Sequence, residues 1–332
     1  MATQGATYYN LSDFRSRTQS DGTMGKVGDY LSKLKPIASN LMHRECSHVN
    51  QHELFIQTNL PVASTIQAGG GIPISKGNSS RVTEVTAAVG VTAQVPKSVL
   101  DASGNPAEQR ALSARWAIES VAGAMEDLFM NGDPTSDPLA FKGLKNRLNS
   151  TTGELAKRVK KGINTDADVN TSAYFVFTGE GLTYGLHPTT APMGIKADLG
   201  REALPETLAN GRVEKIYTDQ WSYHGGLAIE DPRSVCRLAN ISVTKLASGT
   251  GDDDLFNLML EGWYATKDVH SMGKGFILVN VSLAKYLDKQ ARANVTFSDL
   301  TVESRDGAPV TMYRGLPILV SDYITNTEAV IS

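Results

Sequence analysis

The 332-residue sequence predicts an α+β fold. Three observations lead to this class: one long helix with clear start and stop signals, β-patterned stretches on both sides of that helix, and a C-terminal part in which helical and strand patterns alternate. Hydrophobic residues make up 41% of the chain and charged residues 20%. This balance is typical of a globular protein, and the length is sufficient for two or more domains.

Residues 1–52 form a polar, serine-rich leader with too few apolar residues to build a core of its own. Within it, apolar spacing from Met24 to Leu34 predicts one short helix, which Pro36 ends. We expect the leader to become ordered only by lying on another surface. Its first residues do not resemble a secretory signal peptide, and no apolar run of the chain reaches the roughly 20 residues of a membrane helix.

Residues 53–95 are predicted to form an extended β-hairpin. Its return arm has apolar residues at every second position from Val89 to Val95, and its tip contains Gly69, Gly70 and Gly71. Consecutive glycines can also surround a phosphate, but a phosphate loop requires a helix directly after it. Because Pro73 and an extended run follow, we interpret the glycines as a hairpin tip.

A long helix is predicted from about residue 105 to 131. Asn105 is a suitable N-cap, Pro106 fits the first helical position, and Glu108 occupies the capping-box position. The Asn131–Gly132 pair provides the stop signal. At 1.5 Å per residue such a helix is roughly 38 Å long, which suits a scaffold on which other elements lie.

The remaining chain alternates between strand and helix patterns. Strands are predicted between residues 173 and 243, interrupted by a Gly- and Pro-containing loop at 189–210. The basic run at 157–161 is interpreted as a solvated helix face rather than a contact with DNA or a scaffold. Residues 246–332 form an α/β or α+β module, with helices from Asp252 and from Ser282.

The composition and motifs give no indication of catalysis. A net charge of −3 argues against affinity through phosphate neutralisation, although it allows a wall that merely surrounds nucleic acid. The two cysteines form no disulfide framework, which favours a reducing compartment. Zinc accepts side chains such as His43, Cys46, His48 and His52, but their spacing matches no standard site. We therefore expect no metal, no cofactor and no catalytic residues.

Two tracts resemble a family of tailed-phage major capsid proteins. The first, from Tyr174 to Pro188, is an aromatic strand that leads into a Tyr-Gly-aliphatic-x-Pro turn. The second, from Trp221 to Ile241, is the more specific, although Pro232 stands where the family has an aromatic residue. Shorter matches occur after the long helix and at the start of the hairpin. The resemblance spans about residues 50–325.

The resemblance implies the Hong Kong 97-like capsid fold. In that fold residues 1–52 are the N-terminal arm, 53–95 the E-loop hairpin, 96–245 the P-domain and 246–332 the A-domain. The predicted long helix is then the spine helix of the P-domain, and the strands at 173–243 are its β-strands. Because these strands precede the A-domain here, we expect a rearranged strand connectivity.

The resemblance also implies the function of a major capsid protein, not an enzyme. Such a protein self-assembles through pentamers and hexamers into a closed icosahedral shell around the double-stranded DNA of a tailed phage. Expected partners are further copies of the chain, a cement or decoration protein, a scaffolding function and a portal. DNA is enclosed without sequence-specific binding, no membrane takes part, and the virion is assembled in the host cytoplasm. An encapsulin-like nanocompartment shell and an α/β enzyme without a recognisable motif remain alternatives.

The candidate assembly contacts come from the hairpin and from the second tract. Some relatives join a lysine near the E-loop tip to an asparagine of a neighbour, but an exposed lysine needs no such role, and we expect no crosslink. The candidates are Gly69, Gly70, Gly71, Lys76, Trp221, Asp231, Arg233 and Arg237.

Overall fold

The structure, a computed structural model, describes residues 35–67, 70–103, 106–150, 155–166, 169–207, 213–248, 252–293, 299–305 and 308–331. The predicted helix from Met24 to Leu34, the N-cap at Asn105 and the tip residue Gly69 lie outside these ranges. The α+β class is confirmed. None of the helices within the described ranges has the length and apolar character that crossing a membrane requires.

Helices and strands are distributed along the whole described chain. The α-helices are α1 (Pro36–Asn40), α2 (Lys97–Ser103), α3 (Pro106–Asn131), α4 (Leu144–Arg147), α5 (Val243–Ser248), α6 (Asp252–Ala265) and α7 (Val281–Ala293). The strands of the first half are β1 (His43–Glu45), β2 (Gln51–Asn59), β3 (Asn78–Val85), β4 (Ala87–Pro96), β5 (Val159–Lys161), β6 (Asn170–Thr178) and β7 (Thr183–His187). Those of the second half are β8 (Ile195–Leu199), β9 (Leu204–Thr207), β10 (Val213–Ile229), β11 (Val235–Ser242), β12 (Lys274–Val279), β13 (Leu300–Arg305), β14 (Ala308–Tyr313) and β15 (Leu316–Val320).

The predicted long helix is present as α3. It begins at Pro106, whose fixed φ suits the first turn, and ends at Asn131 before Gly132. Its buried side chains follow a four-residue spacing that keeps them on one face, as the periodicity of an α-helix requires. They include Gln109, Ser113, Ala117, Val121, Met125 and Phe129.

The described chain divides into two compact units. The larger unit comprises residues 34–87, 128–191 and 226–332. In its sheet, β6 is antiparallel to β12 on one side and to β11 on the other. Strand β15 then pairs in parallel with β12, and β14 and β13 extend the sheet beyond it. Every residue of β6 is buried, and the strand contains a continuous apolar run from Ala173 to Phe177 instead of an alternating one.

The core of the larger unit lies between this sheet and the helices α6 and α7. It contains Phe175 and Phe177 of β6, Met259 of α6 and Leu287 of α7. The strand β7 pairs in parallel with β1 and antiparallel with the last four residues of β10.

The C-terminal segment at 321–331 is held along the larger unit by paired hydrogen bonds. The Glu328 N–H donates to the Asn170 carbonyl at 2.9 Å. The Asn240 side chain makes two bonds to the backbone of Ile331, accepting from its N–H at 2.9 Å and donating to its carbonyl at 3.0 Å. This segment is therefore part of the folded unit.

The smaller unit includes residues 88–127 and 192–225. In it, β8 and β9 pair antiparallel with β10, and β4 is a further neighbour of β10 in the sheet order. A partly buried ion pair stabilises this unit: Arg110 lies 2.6 Å from the carboxylate of Asp219 and stacks over the ring of Tyr217.

Two sequence predictions of secondary structure are wrong. The loop predicted at 189–210 contains β8 and β9, which are mostly exposed and so lack the apolar alternation that reveals a half-buried strand. The basic run at 157–161 does not form a helix face. A single 3₁₀ turn leads into β5, in which Val159 is buried and the two lysines are partly or fully exposed.

The hairpin pairing is shorter than the predicted 53–95. Strand β2 pairs antiparallel with β3, and the N–H of Thr86 closes the ladder on the carbonyl of Asn50. The alternating run from Val89 to Val95 belongs instead to β4, which is a neighbour of β10. Alternation alone cannot distinguish these partners because it shows which face is buried, not which strand pairs. The rearranged connectivity stays a prediction.

Candidate functional site

The hairpin β2–β3 and the segment that joins its strands expose a series of large apolar side chains. Their exposed fractions range from 54% to 101%, so the chain buries little of this surface. Single exposed apolar residues are ordinary, but a concentration of them within one projecting element marks an interaction surface. We call this series the hairpin strip; it consists of Phe55, Leu60, Val62, Ile66, Ile72 and Ile74.

Two of the three tip glycines, Gly70 and Gly71, lie within the described residues. Gly70 donates its N–H to the carbonyl of Gln67 at 2.9 Å, and Gly71 has a φ of 74°, a left-handed conformation that glycine adopts without strain. The residues at 72–77 form no helix, so the phosphate-loop alternative lacks the helix N-terminus it needs. Lys76 is exposed on the return arm.

The histidines and the cysteine considered for zinc contact different partners. The Nε2 atom of His43 lies 2.9 Å from the carbonyl of Ala38, whereas His52 accepts the Ser47 N–H at Nδ1. Burial lowers the pKa of both histidines and raises the pKa of Cys46 to about 11. Within the described ranges, no three His, Cys, Asp or Glu side chains are grouped so that they could hold a metal ion.

Asp231 and Arg233 of the second tract form one exposed ion pair. Asp231 accepts the backbone N–H of Arg233 at 2.8 Å and caps the short 3₁₀ helix Pro232–Ser234. The guanidinium bonds the same carboxylate, at 2.7 Å for Nη2, and its Nη1 lies 3.6 Å from Asp268. Burial alone would raise the pKa of Asp231, but the hydrogen bonds from Arg233 outweigh it and lower that pKa.

Trp221 and Arg237 are both buried. Trp221 belongs to the smaller unit, where it is 2% exposed. Arg237 is 1% exposed and bonds Glu328 at 2.9 Å and the carbonyl of Leu148 at 2.8 Å. Neither side chain is available at the surface of the subunit, so each stabilises the chain that carries it.

The sequence-predicted candidates therefore fall into three groups. Gly70, Gly71 and Lys76 share the hairpin, and Asp231 and Arg233 share one surface pair. Trp221 and Arg237 are buried side chains, and Gly69 lies outside the described residues.

Sequence reasoning missed most of the hairpin strip. Between Leu60 and Ile74 the apolar residues follow neither a helical nor a strand period, so no pattern marks them as a set. One signal was present in the sequence: these apolar residues occur in a Gly- and Pro-containing connection. Such a connection has no regular helix or strand pairing that would bury them.

Comparison with protein families identifies the chain. Residues 19–332 match the sequence profile of the family described as major capsid protein GP7. The chain belongs to this family. A GP7 protein is a structural subunit that forms a capsid shell, and the family is not one of enzymes. The family resemblance seen in the sequence is confirmed, which decides against the enzyme alternative. Among curated proteins, no sequence is significantly similar to this chain.

Solved structures of phage particles and of an encapsulin are similar to this GP7 protein. A chain of bacteriophage Epsilon15, determined by cryo-EM, is 26% identical, with a TM-score of 0.79 and coverage of 100% of this chain and 99% of that one. The bacteriophage JBD30 capsid is 8% identical, with a TM-score of 0.47 and coverage of 92% and 93%. The SrpI encapsulin of Synechococcus elongatus PCC 7942 is 11% identical, with a TM-score of 0.47 and coverage of 71% and 96%. The last two scores are too low to bear on function.

Proposed function

We propose that this GP7 protein assembles through pentamers and hexamers into a closed icosahedral shell that encloses the double-stranded DNA of a tailed phage. Shells of this kind are built by repeating a few interfaces around symmetry axes. The net charge of −3 supports a wall that surrounds DNA without binding it tightly.

The hairpin strip carries this proposal. We infer that it packs on a neighbouring copy, because the described part of the subunit leaves its side chains largely exposed. Fully burying one large apolar side chain contributes about 1.5–3 kcal/mol, so the six together supply roughly 9–18 kcal/mol before losses. Association costs about 4–15 kcal/mol in lost freedom, and the net contact is therefore modest.

The exposed candidates of the sequence analysis extend this proposed interface. Gly70, Gly71 and Lys76 lie on the same hairpin as the strip and reach the neighbour with it. Asp231 and Arg233 form a surface pair that can contact a further copy. The division into arm 1–52, hairpin 53–95, P-domain 96–245 and A-domain 246–332 is proposed with it.

The remaining partners follow from the role of such a shell. A portal, a scaffolding function and a cement or decoration protein complete the proposed particle. Assembly takes place in the host cytoplasm, and the mature protein resides in the virion.

The test is assembly of the full chain with the strip altered. Ile72→Ser combined with Ile74→Ser removes two of the most exposed strip side chains and leaves the strands β2 and β3 intact. Leu139→Ser is the matched control, because Leu139 is an apolar side chain of similar exposure outside the hairpin. We expect the paired substitution to abolish closed shells in negative-stain electron microscopy while the control assembles. Normal shells from the paired substitution would show that the strip is not an interface.

A further inference from the structure

Among the described residues, the hairpin strands β2 and β3 bury side chains only near the base of the hairpin. Of the strand residues in β2 and β3, those that are buried are His52, Leu54 and Glu84. His52 and Glu84 are direct cross-strand partners in the antiparallel register. The two strands therefore each bury one polar side chain at the same height, near the base of the hairpin.

Glu84 fixes the return strand to the body of the subunit through Arg147. The guanidinium of Arg147 bonds both carboxylate oxygens of Glu84, at 2.6 Å and 2.5 Å. It also donates to the carbonyl of Leu227 at 2.9 Å and to the carbonyl of Lys142 at 2.8 Å. A bidentate arginine–carboxylate pair fixes direction as well as distance, and the two carbonyl bonds hold the Arg147 guanidinium in place for it.

His52 fixes the outgoing strand to the body through a second set of bonds. Its Nδ1 accepts the Ser47 N–H at 3.1 Å, so the proton of the neutral ring lies on Nε2. That Nε2–H donates to the Tyr184 hydroxyl at 3.0 Å, and the hydroxyl donates to Glu230 at 3.1 Å. Leu54 packs beside this chain of bonds, against Tyr184, Leu186 and Ala228.

We propose that these two sets of bonds form a base clamp that sets the direction in which the hairpin leaves the subunit and so positions the hairpin strip for its neighbour. The base clamp consists of His52, Glu84, Arg147, Tyr184 and Glu230. This inference rests on the proposed contact between the strip and a second copy.

The geometry makes the direction sensitive to the clamp. At about 3.3 Å per residue, β2 extends roughly 23 Å from His52 to Asn59 beyond the clamp. A tilt of about 10° at the base therefore displaces Asn59 by about 4 Å, which is larger than the fit of a packed interface tolerates. The apolar contact made by Leu54 cannot prevent such a tilt alone, because apolar packing is not directional.

The test substitutes Arg147→Lys in the full chain. Lysine retains the positive charge but has no fork with which to hold both oxygens of Glu84. The matched control is Arg81→Lys, because Arg81 pairs with Glu53 at 2.5 Å on the same hairpin but is exposed. Spin labels at Gln57→Cys on the hairpin and Lys289→Cys on α7 report the hairpin direction in unassembled subunits. The native Cys46 and Cys236 are buried and do not compete for the label.

We expect Arg147→Lys to broaden the distance distribution about twofold and to lower the yield of closed shells about tenfold, with both unchanged in Arg81→Lys. A distribution as narrow as that of the parent, or an unchanged shell yield, overturns the clamp. If Arg147→Lys lowers the unfolding midpoint by more than about 10 °C, the neutral pair Glu84→Gln with Arg147→Gln is measured instead under the same criteria.

The strip substitutions separate this inference from the proposed function. If they abolish shells while the clamp variants assemble normally, the clamp is refuted and the proposed contact stands. If neither set of substitutions lowers the yield, the proposed contact has failed and the clamp with it.

Discussion

Glu328→Gln should strongly destabilise the subunit. Glu328 lies on the C-terminal segment, and its carboxylate bonds the Arg237 guanidinium at 2.9 Å, with Lys145 at 3.6 Å from its other oxygen. Both members of the central pair are almost completely buried, at 3% and 1% exposed. Glutamine has nearly the same shape, so the substitution removes the charge and little else. It leaves the buried cation of Arg237 without a compensating anion.

The magnitude follows from the environment of Arg237. Removing one member of a buried ion pair costs about 3–5 kcal/mol. We expect the lower end, about 3 kcal/mol, because Arg237 keeps its bond to the Leu148 carbonyl and the new amide oxygen still accepts one hydrogen bond. For domains of this size class that value corresponds to a fall of about 6–12 °C in Tm.

The assay is urea and thermal unfolding of unassembled subunits, since assembly would add stability of its own. Glu53→Gln serves as the control because its partner, Arg81, is 60% exposed, and an exposed pair contributes less than about 1 kcal/mol. The double substitution Glu328→Gln with Arg237→Met should recover much of the loss, because it removes the isolated charge. A loss no larger than that of Glu53→Gln, or a double variant no more stable than the single one, would refute the reasoning.

Two further predictions concern acid and backbone packing. Burial lowers the pKa of His43, His52 and His270, so the unfolded chain binds more protons than the folded one below about pH 6.5. The stability that the neutral histidines contribute is complete above that pH. The free energy of unfolding should fall by up to about 1.4 kcal/mol per pH unit for each histidine as the pH decreases. Urea unfolding at several pH values between 7.5 and 5.5 measures this fall, and a constant free energy of unfolding would contradict the prediction. Gly143→Ala places a Cβ 2.7 Å from the Leu128 carbonyl oxygen and should lower the free energy of unfolding by about 1–3 kcal/mol in the same assay. The control, Gly179→Ala, meets a flexible leucine side chain at 3.3 Å and should cost less. Equal losses of stability in the two variants would exclude the backbone clash as the cause.

The sequence predicted those helices and strands that have a local signal, either start and stop residues or a run of apolar residues. The helix α3 follows from Pro106 at its first turn and Gly132 after its end, and β6 follows from a continuous apolar run. The hairpin β13–β14 and the strands β8 and β9 were not predicted. Residues 301–303 of β13 and most residues of β8 and β9 are exposed, so the pairing of these strands depends on backbone hydrogen bonds, for which the side chains carry no periodic signal.

The candidate site was predictable only in part, for a different physical reason. The tip glycines and Lys76 could be placed on a hairpin because strand patterns flank them. The base clamp joins Glu84 to Arg147 and His52 to Tyr184, which are residues far apart in the chain, so no local spacing relates them. The tract that resembles the capsid family also includes Arg237, which is buried inside the subunit, and resemblance alone does not distinguish such a residue from one at an interface.

In the proposed contact between two copies, different side chains of the hairpin determine the strength of the contact and its direction. Apolar burial by the strip is proportional to area and almost independent of angle, so it can hold two copies together in many orientations. A closed shell needs a narrow range of angles, since a heterologous contact that does not close produces open assemblies. Charge-assisted hydrogen bonds are directional, and Arg147 places four of them at the base of the hairpin. Changing the strip should therefore alter how much shell forms, whereas changing the clamp should alter whether the assemblies that form can close.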